Sequence, residues 1–267
     1  MTDTITGYAH VNGLDIYYEI HGGPLAAGRP PFLLLHGGLT SIEISFGDLA
    51  PRLAALGPVV AIEQRGHGHT ADREGPATLE GMVSDTAAVL RTLGVGQVHV
   101  VGHSMGAMIG FGLAIAHPEL VASLTAIAAT YTFEGMLDEL VVLQRDPTHE
   151  PSPELIALMP TEADFAAWAA SFDRSNPNPG TFEDVSAKLN EMMAAWPGWR
   201  RDDVARIACP TLIAIGDRDF VRIDHAAETA RMIAGAHLAV LPNTTHDGTL
   251  RRGAWLVPMI EARSAPA

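Results

Sequence analysis

The sequence predicts an α/β fold: a mostly parallel, eight-stranded sheet with helices on both faces and a helical insertion late in the chain. Three observations carry that expectation. Short β-branched or apolar runs alternate with helix-like segments at the spacing of strand–helix–strand units, which calls for a parallel sheet with both faces covered. Runs such as PFLLLH at 31–36 are apolar without alternation, as strands buried on both faces are. The rhythm stops near Thr130 and resumes near Asp203, and the stretch between holds helical pieces separated by prolines and no convincing strand.

Residues 8–20 read as two strands folded at Asn12-Gly13, a dipeptide suited to a two-residue hairpin. His21-Gly22-Gly23-Pro24 ends the hairpin. The strand at 31–36 follows, then a helix over 46–56 and a strand over 59–63. Thr78 can cap a helix running to Leu93, whose apolar positions Met82, Val83, Val89, Leu90 and Leu93 fall near helical spacing. A strand over 98–101, a helix over 104–117 and a strand over 120–128 come next. The insertion contains helical segments at 134–145, 153–159, 162–173 and 182–196. They are punctuated by Pro147, Pro151, Pro160, the Asn-Pro pairs at 176–179 and Pro197-Gly198. A strand over 210–216, a helix over 224–233, a strand over 237–241 and a helix around 255–262 complete the chain. The expected organisation is therefore a core in two parts, 1–130 and 203–267, with the insertion at 131–202.

The 267 residues fit one large domain carrying such an insertion, and 47% apolar against 18% charged residues allow a sizeable core. A formal charge of −14 repels phosphate backbones, and no Lys/Arg cluster offsets it, so nucleic acid is excluded as an expected partner. Cys209 is the single cysteine, which leaves no internal disulfide, and its expected role is that of a small buried hydrophobe. Residues 1–13 lack the basic and apolar regions of a signal peptide. The longest strongly apolar run, 107–116, is too short to span a bilayer, so the expectation is a cytoplasmic protein away from membranes.

Chemistry is concentrated at GHSMG, residues 102–106, which fits G-x-S-x-G between a strand and a helix. That motif holds a serine on a strained turn, and a Cβ at Gly102 or Gly106 would meet the chain that passes beside it. The product is an exposed hydroxyl at a helix N-terminus, where developing negative charge is favoured. Serine needs a base, and the base an orienting acid. On a parallel sheet such groups belong just past the carboxyl ends of strands. Asp217-Arg218-Asp219 and Pro242-Asn243-Thr244-Thr245-His246 occupy two such places, in the chain order Ser, Asp, His. Both aspartates stay open on this reading alone.

These residues, with His36-Gly37-Gly38 and Arg65-Gly66-His67-Gly68-His69-Thr70, make the chain resemble the α/β-hydrolase superfamily across nearly its whole length. Its size and modest insertion are similar to enol-lactonases, cofactor-free haloperoxidases and small esterases. Glu63-Gln64 departs from the Asp-x that relatives often carry before Arg-Gly. The resemblance implies Asp219 as the acid beside Ser104 and His246. It also implies an oxyanion hole from the backbone N–H groups of Met105 and Gly38, the latter chosen over Leu39. The implied activity is hydrolysis of small esters or lactones through an acyl-enzyme, without metal or cofactor. The same triad could serve perhydrolysis, C–C bond hydrolysis or acyl transfer, and a small-molecule receptor on this scaffold is the alternative of another class. Dehalogenase and epoxide hydrolase chemistry is disfavoured, because those relatives place an aspartate where Ser104 stands.

Competing motifs have simpler explanations. Gly66-His67-Gly68-His69-Thr70-Ala71 matches a dinucleotide fingerprint but is followed by a loop-like segment rather than a helix. His67-x-His69 lacks a third metal ligand at sensible spacing, so a loop hydrogen-bonding role is expected. Phe165, Trp168, Met192, Met193, Trp196 and Trp199 supply the apolar stripe that inserted helices must bury, with at most two or three of them expected to touch substrate. Glu43, after the oxyanion turn, is expected to face solvent.

Overall fold

A computed structural model of the protein describes residues 4–25, 29–146 and 148–264. Pro147, one of the expected breaks, and the first three residues of the stretch read for a signal peptide lie outside them. The strands are β1 (Ile5–Val11), β2 (Leu14–His21), β3 (Phe32–Leu35), β4 (Val59–Ile62), β5 (Val98–His103), β6 (Val121–Ile127), β7 (Thr211–Arg218) and β8 (His237–Thr245). They form one sheet in the order β1-β2-β4-β3-β5-β6-β7-β8. β1 with β2 and β2 with β4 pair antiparallel, and every other pair is parallel. At the β1–β2 turn Asn12 and Gly13 take φ of 49° and 78°, as a two-residue hairpin turn of matching twist requires.

The helices in chain order are α1 (Ile42–Phe46), α2 (Leu49–Ala54), α3 (Leu79–Thr92), α4 (Met105–Ala116), α5 (Asp138–Arg145), α6 (Pro153–Ile156), α7 (Glu162–Ser175), α8 (Phe182–Ala195), α9 (Arg201–Val204), α10 (Ile223–Met232) and α11 (Gly253–Ser264). Alternate side chains of the central strands feed two cores. Leu33, Leu35, Val60 and Ile62 join α3 and α4 on one face. Phe32, Leu34, Val59 and Ala61 join α1, α2 and α11 on the other. Burial on both faces is why these strands carry no polar alternation.

Several boundaries differ from expectation. The helix read over 46–56 is the shorter α2, and a separate α1 that was not foreseen precedes it. Ser41 starts α1 by accepting a hydrogen bond from Ile44 N, and the chain re-enters helix only after Gly47. α5 starts at Asp138 rather than 134, because a 3₁₀ turn at Phe133–Gly135 precedes it and Met136 bridges to Val221. α6 stops at Ile156, three residues early, and the four-residue α9 was not foreseen. β8 runs on through Pro242 to Thr245. It pairs only with β7, so proline's missing N–H costs no ladder bond on the open side.

The segment between β6 and β7 is tied to the core by specific polar contacts. Trp199 Nε1 donates to Met108 O of α4 at 2.8 Å, with its ring against Gly112, where a Cβ would lie 2.6 Å from it. Asn176 Nδ2 donates to Gly68 O (2.9 Å) and Thr70 O (3.2 Å), and Lys188 pairs with Asp72. Thr161 and Asp164 form a reciprocal capping box that starts α7.

Candidate active site

Ser104 lies between β5 and α4 with φ 51° and ψ −119°, a conformation that few residues other than glycine adopt. The turn is possible because of its two flanking glycines. A Cβ on Gly106 would sit 1.9 Å from Leu35 O, and one on Gly102 would sit 2.4 Å from Gly106 O. Both obstacles are backbone and cannot yield. Ser104 N donates to Ile127 O at 2.9 Å, fastening the turn to the end of β6. The side chain stands at the N-terminus of a twelve-residue helix, where free N–H groups and the helix dipole favour an anion.

Asp219 and His246 are the residues immediately after β7 and β8, neighbouring parallel strands, so the sheet brings them side by side. His246 Nδ1 and Asp219 Oδ1 are 2.8 Å apart. Asp219 Oδ1 also accepts from Val221 N at 2.9 Å. Both side chains are buried. Asp217 is used differently: it accepts Thr244 N–H at 2.9 Å and so holds the β7–β8 ends together. Burial opposes charging of His246, but the Asp219 charge and hydrogen bond outweigh it and hold the imidazole above its ordinary pKa. The pairing puts the proton on Nδ1 and leaves Nε2 as a bare acceptor. Phe220 stacks on the His246 ring at 4.0 Å, and His103, next to Ser104, has its ring centroid 5.0 Å from that of His246. No hydrogen bond joins Ser104 Oγ to His246 among the described residues. Such contacts are often long without substrate and tighten in the complex.

The turn after β3 brings Gly38 to the same place. A Cβ there would meet only Leu189 of α8 at 3.8 Å and the Met105 sulfur at 4.0 Å. Leu39 N donates to His67 Nε2 at 3.0 Å, and Gly37 N donates to Ser45 Oγ at 3.4 Å. Among the described residues the Gly38 and Met105 amides have no protein acceptor.

The other sequence candidates resolve into structural contacts. Residues 66–71 form turns, and the next helix, α3, starts only at Leu79, so the geometry of a dinucleotide fingerprint is absent there. His67 hydrogen-bonds within its loop, and His69 pairs with Glu63 at 2.9 Å. Glu63 is buried beneath Gly68, where a Cβ would collide with its carboxyl group. Among the described residues, His103, His246 and Asp247 form a group of three potential metal ligands. His246 Nδ1 and His103 Nε2 in that group already face Asp219 and His246 O. Met192 and Trp196 are core, Trp168, Met193 and Trp199 are half-buried against it, and Phe165 is exposed. Cys209 is half-buried beside the same core, and burial pushes its thiol pKa up.

Sequence reasoning missed Leu189, Phe220 and Asp247. Asp247 is a half-buried carboxyl beside His246 whose pKa is raised by burial. Its position next to the histidine was visible in the chain, whereas the contacts of Leu189 and Phe220 exist only after folding. A separate cleft of about 850 Å³ opens beside α1. Glu19, His21, Glu43, Glu63, His69 and Arg174 contribute its ionisable lining, and Ser104, Asp219 and His246 do not line it. Glu43 is exposed at its edge.

Among the described residues no helix is long and apolar enough to cross a membrane. Comparison with known proteins places this architecture. Over 227 residues the chain is 30% identical to the "Putative carbamate hydrolase RutD" of Azorhizobium caulinodans, covering 79% of this chain and 80% of that one. The enol-lactonase of Burkholderia xenovorans LB400 matches with a TM-score of 0.72 at 23% identity, covering 96% and 98% of the two chains. The 2-hydroxy-6-oxo-6-phenylhexa-2,4-dienoate hydrolase of Rhodococcus matches with a TM-score of 0.78 at 21% identity, covering 98% and 99%. Residues 30–246 fit the model of the α/β hydrolase fold, and the chain belongs to that family.

Proposed function

We propose that the protein is a serine hydrolase that cleaves small carboxylic esters or lactones through an acyl-enzyme on Ser104. The observation that carries this reading is the strained serine at the β5–α4 turn, on the same rim as a buried Asp219–His246 pair. His246 Nε2 accepts the Ser104 proton as Oγ attacks the carbonyl carbon. Asp219 keeps the imidazole in the required tautomer and stabilises the imidazolium. The Gly38 and Met105 amides receive the oxyanion. They are held before reaction starts, so no reorganisation is needed as charge develops. His246 then protonates the leaving alcohol, and water deacylates Ser104 by the same route. Apart from substrate and water, every step draws on groups of this chain.

A second reading concerns the acyl group. The 30% identity to a named carbamate hydrolase favours a carbamate carbonyl, which the same triad would attack in the same way. The test is steady-state hydrolysis of p-nitrophenyl esters graded by chain length, a lactone series and simple carbamates, with wild type and Ser104→Ala. Turnover of one class by wild type and its loss in a folded Ser104→Ala is the expected result. Ligand binding without turnover of any class would favour the receptor alternative, and undiminished hydrolysis by Ser104→Ala would overturn the mechanism.

A further inference from the structure

The oxyanion turn is clasped by two imidazoles, each accepting a backbone N–H from the loop that carries the other. Gln64 N donates to His36 Nε2 at 3.0 Å, and Leu39 N donates to His67 Nε2 at 3.0 Å. Each ring turns its second nitrogen to a nearby carbonyl. His36 Nδ1 faces Gly37 O at 2.7 Å, and His67 Nδ1 faces Arg65 O at 2.8 Å. These partners fix both tautomers, with the proton on Nδ1 and a bare Nε2. The rings are 4.9 Å apart and fully buried. Burial, the largest cause for both, pushes His36 down to about 3 and His67 down to about 4. Both rings therefore remain acceptors at neutral pH.

The clasp meets a strained residue. Leu39 has φ 61°, in the left-handed region that non-glycine residues rarely adopt and that surrounding contacts must hold in place. The bond to His67 constrains the Leu39 nitrogen, and with it the plane of the Gly38–Leu39 peptide. The preceding residue is the one whose amide faces Ser104 in the reading above.

We propose that His67 is a positioning residue for the oxyanion hole: by accepting the Leu39 N–H it fixes the Gly38–Leu39 peptide, one of the two planes that meet at the Gly38 Cα, while Gly37 O, held by His36 Nδ1 and Thr40 Oγ1, fixes the Gly37–Gly38 peptide, and the two together keep the Gly38 N–H aimed at the reacting carbonyl. The bond also withdraws the Leu39 amide from competition for the oxyanion. His67 touches neither substrate nor Ser104. The proposal rests on the serine-hydrolase reading.

The test compares wild type with His67→Ala and His67→Leu, the latter filling the space without an acceptor. Read out are kcat, KM, and inhibition by a trifluoromethyl ketone, whose serine adduct places an oxyanion in the hole. Loss of aim should lower kcat by about 10²–10³-fold with KM nearly unchanged, the size seen when one such donor is removed. Ketone affinity should weaken by a similar factor. A folded variant with wild-type kcat, or with reduced kcat but full ketone affinity, overturns the proposal. If neither variant folds, amide exchange in wild type decides: a protected Leu39 amide supports the bond, and exchange at the rate of an open loop overturns it. A wild-type chain that hydrolyses nothing and is untouched by the ketone defeats the hydrolase reading itself, and with it any role of His67 in a reaction.

Discussion

For single residues, the proposed chemistry depends on which protonation state each side chain holds. His246 must be neutral to accept the Ser104 proton, and Asp219 holds its pKa above the ordinary imidazole value of about 6.5. kcat/KM should therefore fall on the acid side with a midpoint above that value. Asp219→Asn removes the charge that raises it, so the limb should move to lower pH. The amide also misorients the ring, and kcat should drop by a factor on the order of 10⁴, as in the corresponding protease variant. A pH–rate profile of the two proteins checks both effects, and an unmoved limb would contradict the pairing as the source of the shift. The chain's Ser, Asp, His order and strand-end positions made this trio legible as candidates. What separates Asp219 from Asp217 physically is tertiary: one carboxylate meets an imidazole, the other a Thr244 amide.

At the scale of elements, local patterns were readable and long-range ones were not. The Asn12-Gly13 hairpin, the Thr78 cap of α3 and the Gly-flanked turn before α4 each depend on a few adjacent residues, and the sequence carries them openly. The break between α1 and α2 follows a Ser41 cap that no apolar period announces. The extension of β8 past Pro242 depends on its place at the sheet edge, a property of the assembled sheet. The inserted helices were located only in outline. Their contacts with the core, such as Trp199 on α4 and Leu189 over Gly38, pair positions far apart in the chain. α7 offers a measurable case. Thr161→Ala removes the cap in which Asp164 N donates to Thr161 Oγ1 at 3.2 Å. The expected loss is about 1 kcal/mol, read as a lower urea midpoint at unchanged slope. An unchanged midpoint would show that the cap adds nothing to the folded state.

At the scale of the whole molecule, the site is a consequence of the sheet's topology. β5, β7 and β8 run parallel, so the turns after them open on one rim, and that rim receives Ser104, Asp219 and His246. The same architecture buries His36, His67 and His103 as neutral rings, with pKa values pushed down to about 3, about 4 and about 3, chiefly by burial. In the unfolded chain these rings titrate near 6.5. Below that pH the unfolded state takes up protons that the folded state refuses, so stability falls as pH drops from about 6.5 towards 4. His246 acts in the opposite sense. Its raised pKa contributes stability that is fully present below the unfolded value and is lost as pH rises through the folded one. With His99 and His225 also held down by burial and His69 held up by Glu63, five rings stand against two, and the melting temperature should decline steadily across that acid range. A flat profile from pH 6.5 to 4 would contradict the burial of neutral rings.

The proposed chemistry requires Ser104 to be a nucleophile made reactive by His246. Its most direct measurement is treatment of the folded protein with a fluorophosphonate, followed by mass-spectrometric mapping of the adduct. A single residue, Ser104, should be modified, with labelling abolished in Ser104→Ala and strongly slowed in His246→Ala. A label on another residue, or labelling of Ser104 at the wild-type rate without His246, would contradict it.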